Sequence, residues 1–243
     1  MPITLDFTGK LALAEAGADV AISYTSKDAT PVAKELSDKY GKKIRAFKCE
    51  VTKSSEVDEL VEQVRKEYNR EINICVANAG ISLWKDSHEN TDEDFQSISA
   101  VNTFGSYYLS RALIQSWLGL PVSVNSASDP IDIASMRNID LKKKILFGLS
   151  QCLRRVWPAS GLTLVLLSTR FAPGYVSTDM IANPPDATAS NWVKEWEKRT
   201  PVGRFATADE KGGFIATLLS DKMGGMGFMT GSDVVVDKRY TIF

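Results

Sequence analysis

The sequence predicts an α/β fold, a Rossmann-like, doubly wound parallel sheet. Three observations carry this prediction. Short β-rich runs alternate with amphipathic helical stretches through the first half of the chain. Ile72 to Ala77 is nearly all apolar, as a strand covered on both faces must be. Small, polar turn residues follow the strands, at the sheet edge where such folds place ligands. With 243 residues and no repeat or low-complexity tract, the chain is read as a single domain over 1–243.

The elements follow in order. LALAEAGA reads as a helix end with Gly17 as its C-cap, and Asp19 to Tyr24 as the next strand. Thr30 to Tyr40 has helical spacing and Gly41 stops it. Lys43 to Lys48 alternates like a strand. Ser54 to Tyr68 is an amphipathic helix capped by Ser54 or Ser55, with Val57, Leu60, Val61, Val64 and Tyr68 as its buried stripe. Asp92 to Trp117 is helical, in two pieces broken near Gly105. Leu118 to Asp140 is polar and aperiodic, a surface loop. Lys142 to Phe147 is the next strand, Leu149 to Trp157 a short helix, and Leu162 to Leu167 a buried strand. Trp192 to Arg199 and Asp209 to Leu219 are helices, and Gly231 to Asp237 is the last strand.

Composition narrows the function. Lys+Arg number 29 against Asp+Glu 30, so the net charge of -1 gives no reason to expect nucleic acid or an anionic membrane as partner. No apolar run reaches the ~18 residues of a membrane span, and MPITLDFTGK is no signal peptide, so a cytoplasmic location is expected. The three cysteines, Cys49, Cys75 and Cys152, are scattered, and the one histidine, His88, lies in a polar stretch. Neither forms a metal-ligand spacing, so no metal site is expected.

Several turns at strand ends fall in a telling order: Thr25-Ser26-Lys27, Cys49-Glu50-Val51-Thr52, Asn78-Ala79-Gly80 and Pro173-Gly174-Tyr175-Val176-Ser177-Thr178. With Val101-Asn102 and the C-terminal TPVGRFATADE and TGSDVVVD, they make the chain resemble the short-chain dehydrogenase/reductase family over nearly its whole length. Within it the likeness is to NADPH-dependent sorbose, mannitol and xylulose-type sugar and carbonyl reductases.

The resemblance implies hydride transfer between a nicotinamide and a carbonyl or alcohol carbon, with NADP(H) as cofactor and a small carbonyl compound or polyol as substrate. It implies that Thr25 and Ser26 lie beside the cofactor ribose. No acid stands at that strand end to repel a 2′-phosphate, and Lys27 is near, which favours NADP. Glu50 and Val51 match the pair beside adenine, although relatives usually have Asp where this chain has Glu50. Asn78, Ala79 and Gly80 match the turn supporting the ribose. Asn102 matches the residue that positions a relay water, and so enters the catalytic set. Val176 and Thr178 match the loop at the nicotinamide carboxamide and pyrophosphate. A homodimer or homotetramer is expected through the helices around Asn102 and Trp157. Residues 183–200, with Trp192 and Trp196, stand where the family has a substrate lid, and the rings either stack on substrate or anchor that lid.

Two parts of the family pattern are missing. Thr8-Gly9-Lys10 runs straight into Leu11, so the first strand and the Gly-rich turn TGxxxGxG are read as deleted, a gap of roughly 15 residues. Ile3 to Phe7 then slides into the gap, or the flanking strands pair directly. The catalytic Tyr-x-x-x-Lys is missing too: none of the tyrosines at 24, 40, 68, 107, 108, 175 and 240 has lysine four residues on, and Tyr107 has Arg111 there. Either the fifth strand is Lys142 to Phe147 and the segment carrying Ser, Tyr and Lys is gone, or Ser126, Ile139 and Lys143 take their places. The strand-like LKKKILF favours the first. Both gaps fall where misplaced splice junctions would put them. Lys238-Arg239 stands where relatives carry two glycines. Three functions follow: an NADP(H)-dependent reductase, a catalytically inactive or truncated relative, and, less well supported, an unrelated α/β binding protein.

Overall fold

The computed structural model describes residues 2–4, 14, 17–117, 119, 145–148, 167–219 and 233–239. Strands β1 (Pro2–Thr4), β2 (Val20–Tyr24), β3 (Ile44–Lys48), β4 (Ile74–Ala77), β5 (Ile145–Gly148), β6 (Leu167–Pro173) and β7 (Asp233–Val236) form one sheet. Its order is β3-β2-β1-β4-β5-β6-β7, and every neighbouring pair is parallel. Parallel pairing requires crossovers, and these are supplied by α1 (Thr30–Tyr40), α2 (Ser54–Tyr68) and the helices after β4. The order reverses after β1, the switch point at which such sheets open a crevice.

The centre of the sheet corrects the reading that its first strand is deleted. Pro2–Thr4 occupies that place, with Ile3 opposite Ala21 on one side and Cys75 on the other. The N-terminal residues have slid into the gap. Paired on both sides, it satisfies N–H and C=O groups of β2 and β4 inside the sheet. Residues 5–13, where a phosphate turn would lie, fall outside the described residues.

Strand alternation divides the core into two layers. Ala21 and Cys75 face Val57, Leu60, Val61 and Val64 of α2, together with Leu109, Leu113 and Trp117. Val20, Ile22 and Val76 face Ala33 and Leu36 of α1, with Leu218 and Leu219. The expected stripe of α2 is therefore buried throughout, ending on Tyr68, whose hydroxyl donates to the Val20 carbonyl at 2.7 Å. Trp117 Nε1 likewise donates to the Ile72 carbonyl at 2.7 Å.

Some boundaries differ. Lys53, in extended conformation, precedes α2 without a capping side chain; Ser54 instead accepts a bond from Arg111 and neither serine is the cap. The strand expected at Leu162 to Leu167 is Leu167–Pro173, and residues 162–166 lie outside the described residues. The strand expected at Lys142 to Phe147 is Ile145–Gly148, paired to β4 and β6 as the fifth strand. The loop at 118–140, apart from Gly119, and the helix at 149–157 also lie outside, with Ser126, Ile139 and Lys143. The long helix after β4 breaks as expected: α3 (Asp92–Ser99), a π-helical stretch (Ala100–Gly105) and α4 (Ser106–Trp117) follow one another.

After β7, Lys238 and Arg239 both have left-handed backbone, with φ of 55° and 73°. A side chain there costs roughly 1–2 kcal/mol per residue, partly offset by the smaller unfolded-state freedom of a non-glycine residue. Replacing Arg239 by glycine is expected to raise stability by about 0.5–1 kcal/mol, read as a shift of the urea midpoint at unchanged slope. Lost stability would show that the arginine side chain makes a contact outweighing its backbone strain.

Candidate functional site: the carboxyl edge of the sheet

All strands run the same way, so their carboxyl ends share one edge. Thr25 and Ser26 leave β2 there and are exposed, as is Lys27. Thr25 Oγ1 donates to the Cys49 carbonyl at 3.0 Å, while the Cys49 N–H donates to the Tyr24 carbonyl at 2.8 Å. These bonds hold the ends of β2 and β3 together. The nearest carboxylate, Asp28, accepts from the Thr30 N–H at 2.8 Å at the start of α1. The bonds from Thr30 keep its carboxyl below its ordinary range. No carboxylate side chain is thus directed by residues 25–27 themselves.

Beyond β3, Glu50 turns back on its own loop, accepting from Thr52 N–H and Oγ1 at 3.2 and 3.0 Å. Val51 is buried. A Cβ on Gly105 would come within 3.1 Å of Val51 Cγ2, so the glycine lets the π-helical stretch press on the β3 loop. Asn102 Oδ1 accepts from the Ile81 N–H at 2.8 Å, and its Nδ2 donates to the Ile81 carbonyl at 3.0 Å. The Asn102 side chain thus bonds the backbone just past Asn78-Ala79-Gly80 through both its oxygen and its nitrogen. Its structural role is to clamp that turn against the helix.

On the far side, Val176 pairs with Ala206 in an isolated parallel bridge. The Thr178 N–H bonds the Val176 carbonyl at 2.9 Å, and the Thr178 carbonyl accepts from Ile181 and Ala182, starting α5 (Asp179–Ala182). Thus Thr25, Ser26, Glu50, Val51, Asn78, Ala79, Gly80, Asn102, Val176 and Thr178 are gathered on one edge by four strands.

The structure adds Trp84, which no local pattern singles out, and joins it to Trp196 and Tyr175. Tyr175 stacks on Trp196 with ring centroids 4.8 Å apart and 6° between planes, and Trp84 stacks on Trp196 at 5.6 Å. Trp196 therefore anchors its helix, α6 (Ala187–Arg199), to the edge of the sheet. Among the described residues, burial shifts two thiols and one phenol. The Cys49 thiol is pushed up to about 12, first by burial and then by Glu56, Glu50 and Glu59. Burial also raises Cys75 and Tyr68. Arg111, four residues after Tyr107, is spent on Asp58 at 2.6 Å. His88 sits exposed in a 3-10 turn (Ser87–Glu89). Among the described residues no group of three or more His, Cys, Asp or Glu could hold a metal, and no helix is long and apolar enough to cross a membrane.

The exposed Thr25, Ser26 and Lys27 stand at the end of β2, with Asp28 bonded to the Thr30 N–H. The pyrophosphate cradle has no counterpart among the described residues.

Comparison with known proteins agrees with this geometry. A family model described as enoyl-(acyl carrier protein) reductase matches residues 11–241. A sorbose reductase of Candida albicans is 30% identical over 239 residues, covering 95% of this chain and 80% of that protein. An NADP-dependent mannitol dehydrogenase of Alternaria alternata is 27% identical, covering 94% and 84%. Among solved structures, a short-chain type dehydrogenase/reductase from Mycobacterium marinum has a TM-score of 0.75 at 22% identity, covering 99% of this chain and 95% of that one. An NADPH-dependent 3-quinuclidinone reductase from Rhodotorula rubra has a TM-score of 0.73 at 20% identity, covering 100% and 91%. The parallel sheet with its switch point after β1, the motifs on its carboxyl edge and these likenesses agree: the chain belongs to the short-chain dehydrogenase/reductase family.

Proposed function

We propose that the chain is an oxidoreductase-type protein directed to NADP(H) and to sugar-like or small carbonyl and alcohol substrates, located in the cytoplasm. The observation that carries the cofactor preference is the end of β2, where Thr25, Ser26 and Lys27 are exposed and Asp28 is committed to the start of α1. A hydroxyl pair with an ammonium accepts a 2′-phosphate, whereas a free carboxylate there would repel it. The substrate class is supported by the names of the relatives, a sorbose reductase and mannitol dehydrogenases.

When bound, the dinucleotide supplies the hydride. The chain's own residues would hold and orient it: Thr25 and Ser26 by the ribose, Glu50 and Val51 beside adenine, and the Asn78-Ala79-Gly80 turn, braced by Asn102, supporting the ribose. Val176 and Thr178 border the nicotinamide end. Asn102 acts through the turn it clamps, as a positioning residue.

A second reading has a specific observation behind it. No tyrosine in the sequence precedes a lysine by four, and no glycine has partners four and six residues on. The usual proton donor and phosphate turn are therefore missing, which favours a catalytically silent relative, a pseudoenzyme or an oligomer partner. One experiment separates the readings: titration of NADPH by its fluorescence, followed by assay with sorbose and other ketoses. Saturable binding with reduction near background is the expected result. Robust NADPH-dependent turnover would remove the silent reading. Absence of any binding would remove the cofactor assignment.

A further inference from the structure

The chain leaves β7 through two cations on strained backbone. Lys238 and Arg239 follow one another in the left-handed region, where glycine is the residue that fits without strain. Among the described residues, Asn69 is the one other side chain at such a φ, and it ends α2 as a left-handed cap. Two adjacent strained positions that nonetheless carry long cationic side chains point to a use for those side chains. Their frame is fixed. The Val236 carbonyl accepts from the Gly174 N–H at 3.2 Å and also from Nζ of the buried Lys211, near the start of α7 (Ala208–Leu218). The Arg239 N–H donates to Asp237 Oδ1 at 3.0 Å. These bonds hold the backbone before Lys238 and at Arg239.

The two carboxylates in contact with this corner are already occupied. Glu210 accepts from both Arg204 Nη atoms, at 2.7 and 2.8 Å, and from the Thr207 N–H at 2.9 Å, while Lys238 Nζ stands off at 3.9 Å. Asp237 accepts from the Arg239 backbone and faces the Lys211 charge. Arg45, Arg65, Arg70, Arg111, Arg199 and Arg204 each pair with a carboxylate. The exposed Arg239 side chain pairs with none among the described residues. The corner also borders the candidate site, because a Cβ on Gly174, at the start of the loop carrying Val176 and Thr178, would lie 2.8 Å from Asp237 Cα. A planar guanidinium next to an ammonium, on fixed backbone and short of carboxylates, matches the oxygens of a phosphate.

We propose that Lys238 and Arg239 form an anion site at the carboxyl end of β7 that takes a phosphate group. The strained backbone is the cost of placing two cations there, and the bound anion is what they serve. That the phosphate is carried by a sugar-like substrate rests on the reading above; the anion site itself does not.

Calorimetric titration with inorganic phosphate tests it, with sodium chloride holding the ionic strength constant. The parent is expected to bind saturably, and Lys238→Gly combined with Arg239→Gly to weaken binding about tenfold or more. The same double variant should unfold at a higher temperature than the parent, because both strained positions are relieved. A lower unfolding temperature would show that the two side chains serve the fold instead, and would count against the site. Arg239→Gln keeps a side chain on the strained backbone but not the charge, and should weaken binding about fivefold, so it reads the site even if the double variant folds poorly. Lys27→Gln, at the end of β2, should bind phosphate like the parent. No saturable binding by the parent, binding unchanged in the double glycine variant, or binding lost only in Lys27→Gln would overturn the site. Fructose 6-phosphate and fructose separate the sources of the phosphate. Tighter binding of the sugar phosphate than of inorganic phosphate, with no competition by fructose, supports a phosphorylated substrate. Equal affinity assigns the site to free phosphate and counts against that substrate class. NADPH is titrated separately by its fluorescence, so a chain that takes up phosphate but no NADPH removes the cofactor reading and leaves the anion site standing.

Discussion

Replacing Arg111 with methionine is expected to destabilise the protein by about 3–5 kcal/mol. Arg111 reaches from α4 to α2, donating from Nη2 to Asp58 Oδ1 at 2.6 Å and to Ser54 Oγ at 2.9 Å. The Asp58 side chain is only 7% exposed and that of Arg111 17%. Methionine preserves most of the aliphatic bulk but leaves a buried carboxylate without its counter-charge. The loss therefore measures an uncompensated charge rather than a cavity. Replacing both partners, Asp58→Leu with Arg111→Met, removes the charge altogether and should recover most of the loss. Urea unfolding of the parent, both single variants and the double variant gives the coupling directly. A single substitution costing no more than the double would show that the pair contributes little.

The second large effect concerns Gly174, just past β6. A Cβ there would lie 2.8 Å from Asp237 Cα and 3.0 Å from its Cβ, with the Asp237 carbonyl oxygen at 3.1 Å. The obstruction is backbone, which cannot rotate away, and the Gly174 N–H bonds the Val236 carbonyl at 3.2 Å. Gly174→Ala should therefore push β6 and β7 apart and cost about 2–4 kcal/mol. Gly213→Ala makes the contrast. Gly213 lies inside α7 (Ala208–Leu218), where a Cβ meets nothing within 4 Å. The same chemical change there should stabilise by about 0.5–1 kcal/mol through helix propensity. Midpoints moving in opposite directions would confirm that packing sets the sign. Equal shifts would contradict the close approach at Gly174.

Both substitutions bear on the candidate site. Gly174 opens the loop carrying Val176 and Thr178, and the Arg111 pair joins α4 to α2 under the π-helical stretch that holds Asn102. Position here depends on the frame: Val51 against Gly105 sets that stretch, and Asn102 then clamps Ile81.

The contrast between what was legible and what was not follows interaction range. Thr30–Tyr40 and Ser54–Tyr68 have the bounds their periodicity predicts, because a helix's bonds and its apolar stripe are local in sequence. Gly41, at φ 60°, ends the first as a left-handed stop. The break in the long helix was legible from Gly105, though the residue it approaches was not. The cap of α2 was misread because Ser54 is drawn instead to Arg111, 57 residues away.

By itself, the sequence determined the alternation of strands and helices, the parallel sheet, the turn residues on its carboxyl edge and the missing Tyr-x-x-x-Lys. Each depends on neighbours a few residues apart or on a simple tally of side chains. Only the tertiary structure decided that Pro2–Thr4 fills the middle of the sheet, since the backbone groups of β2 and β4 that it satisfies are brought to it by the fold. Only it joined Trp84, Tyr175, Trp196 and Phe205, because ring stacking acts at about 5 Å in space and leaves no periodic trace along the chain.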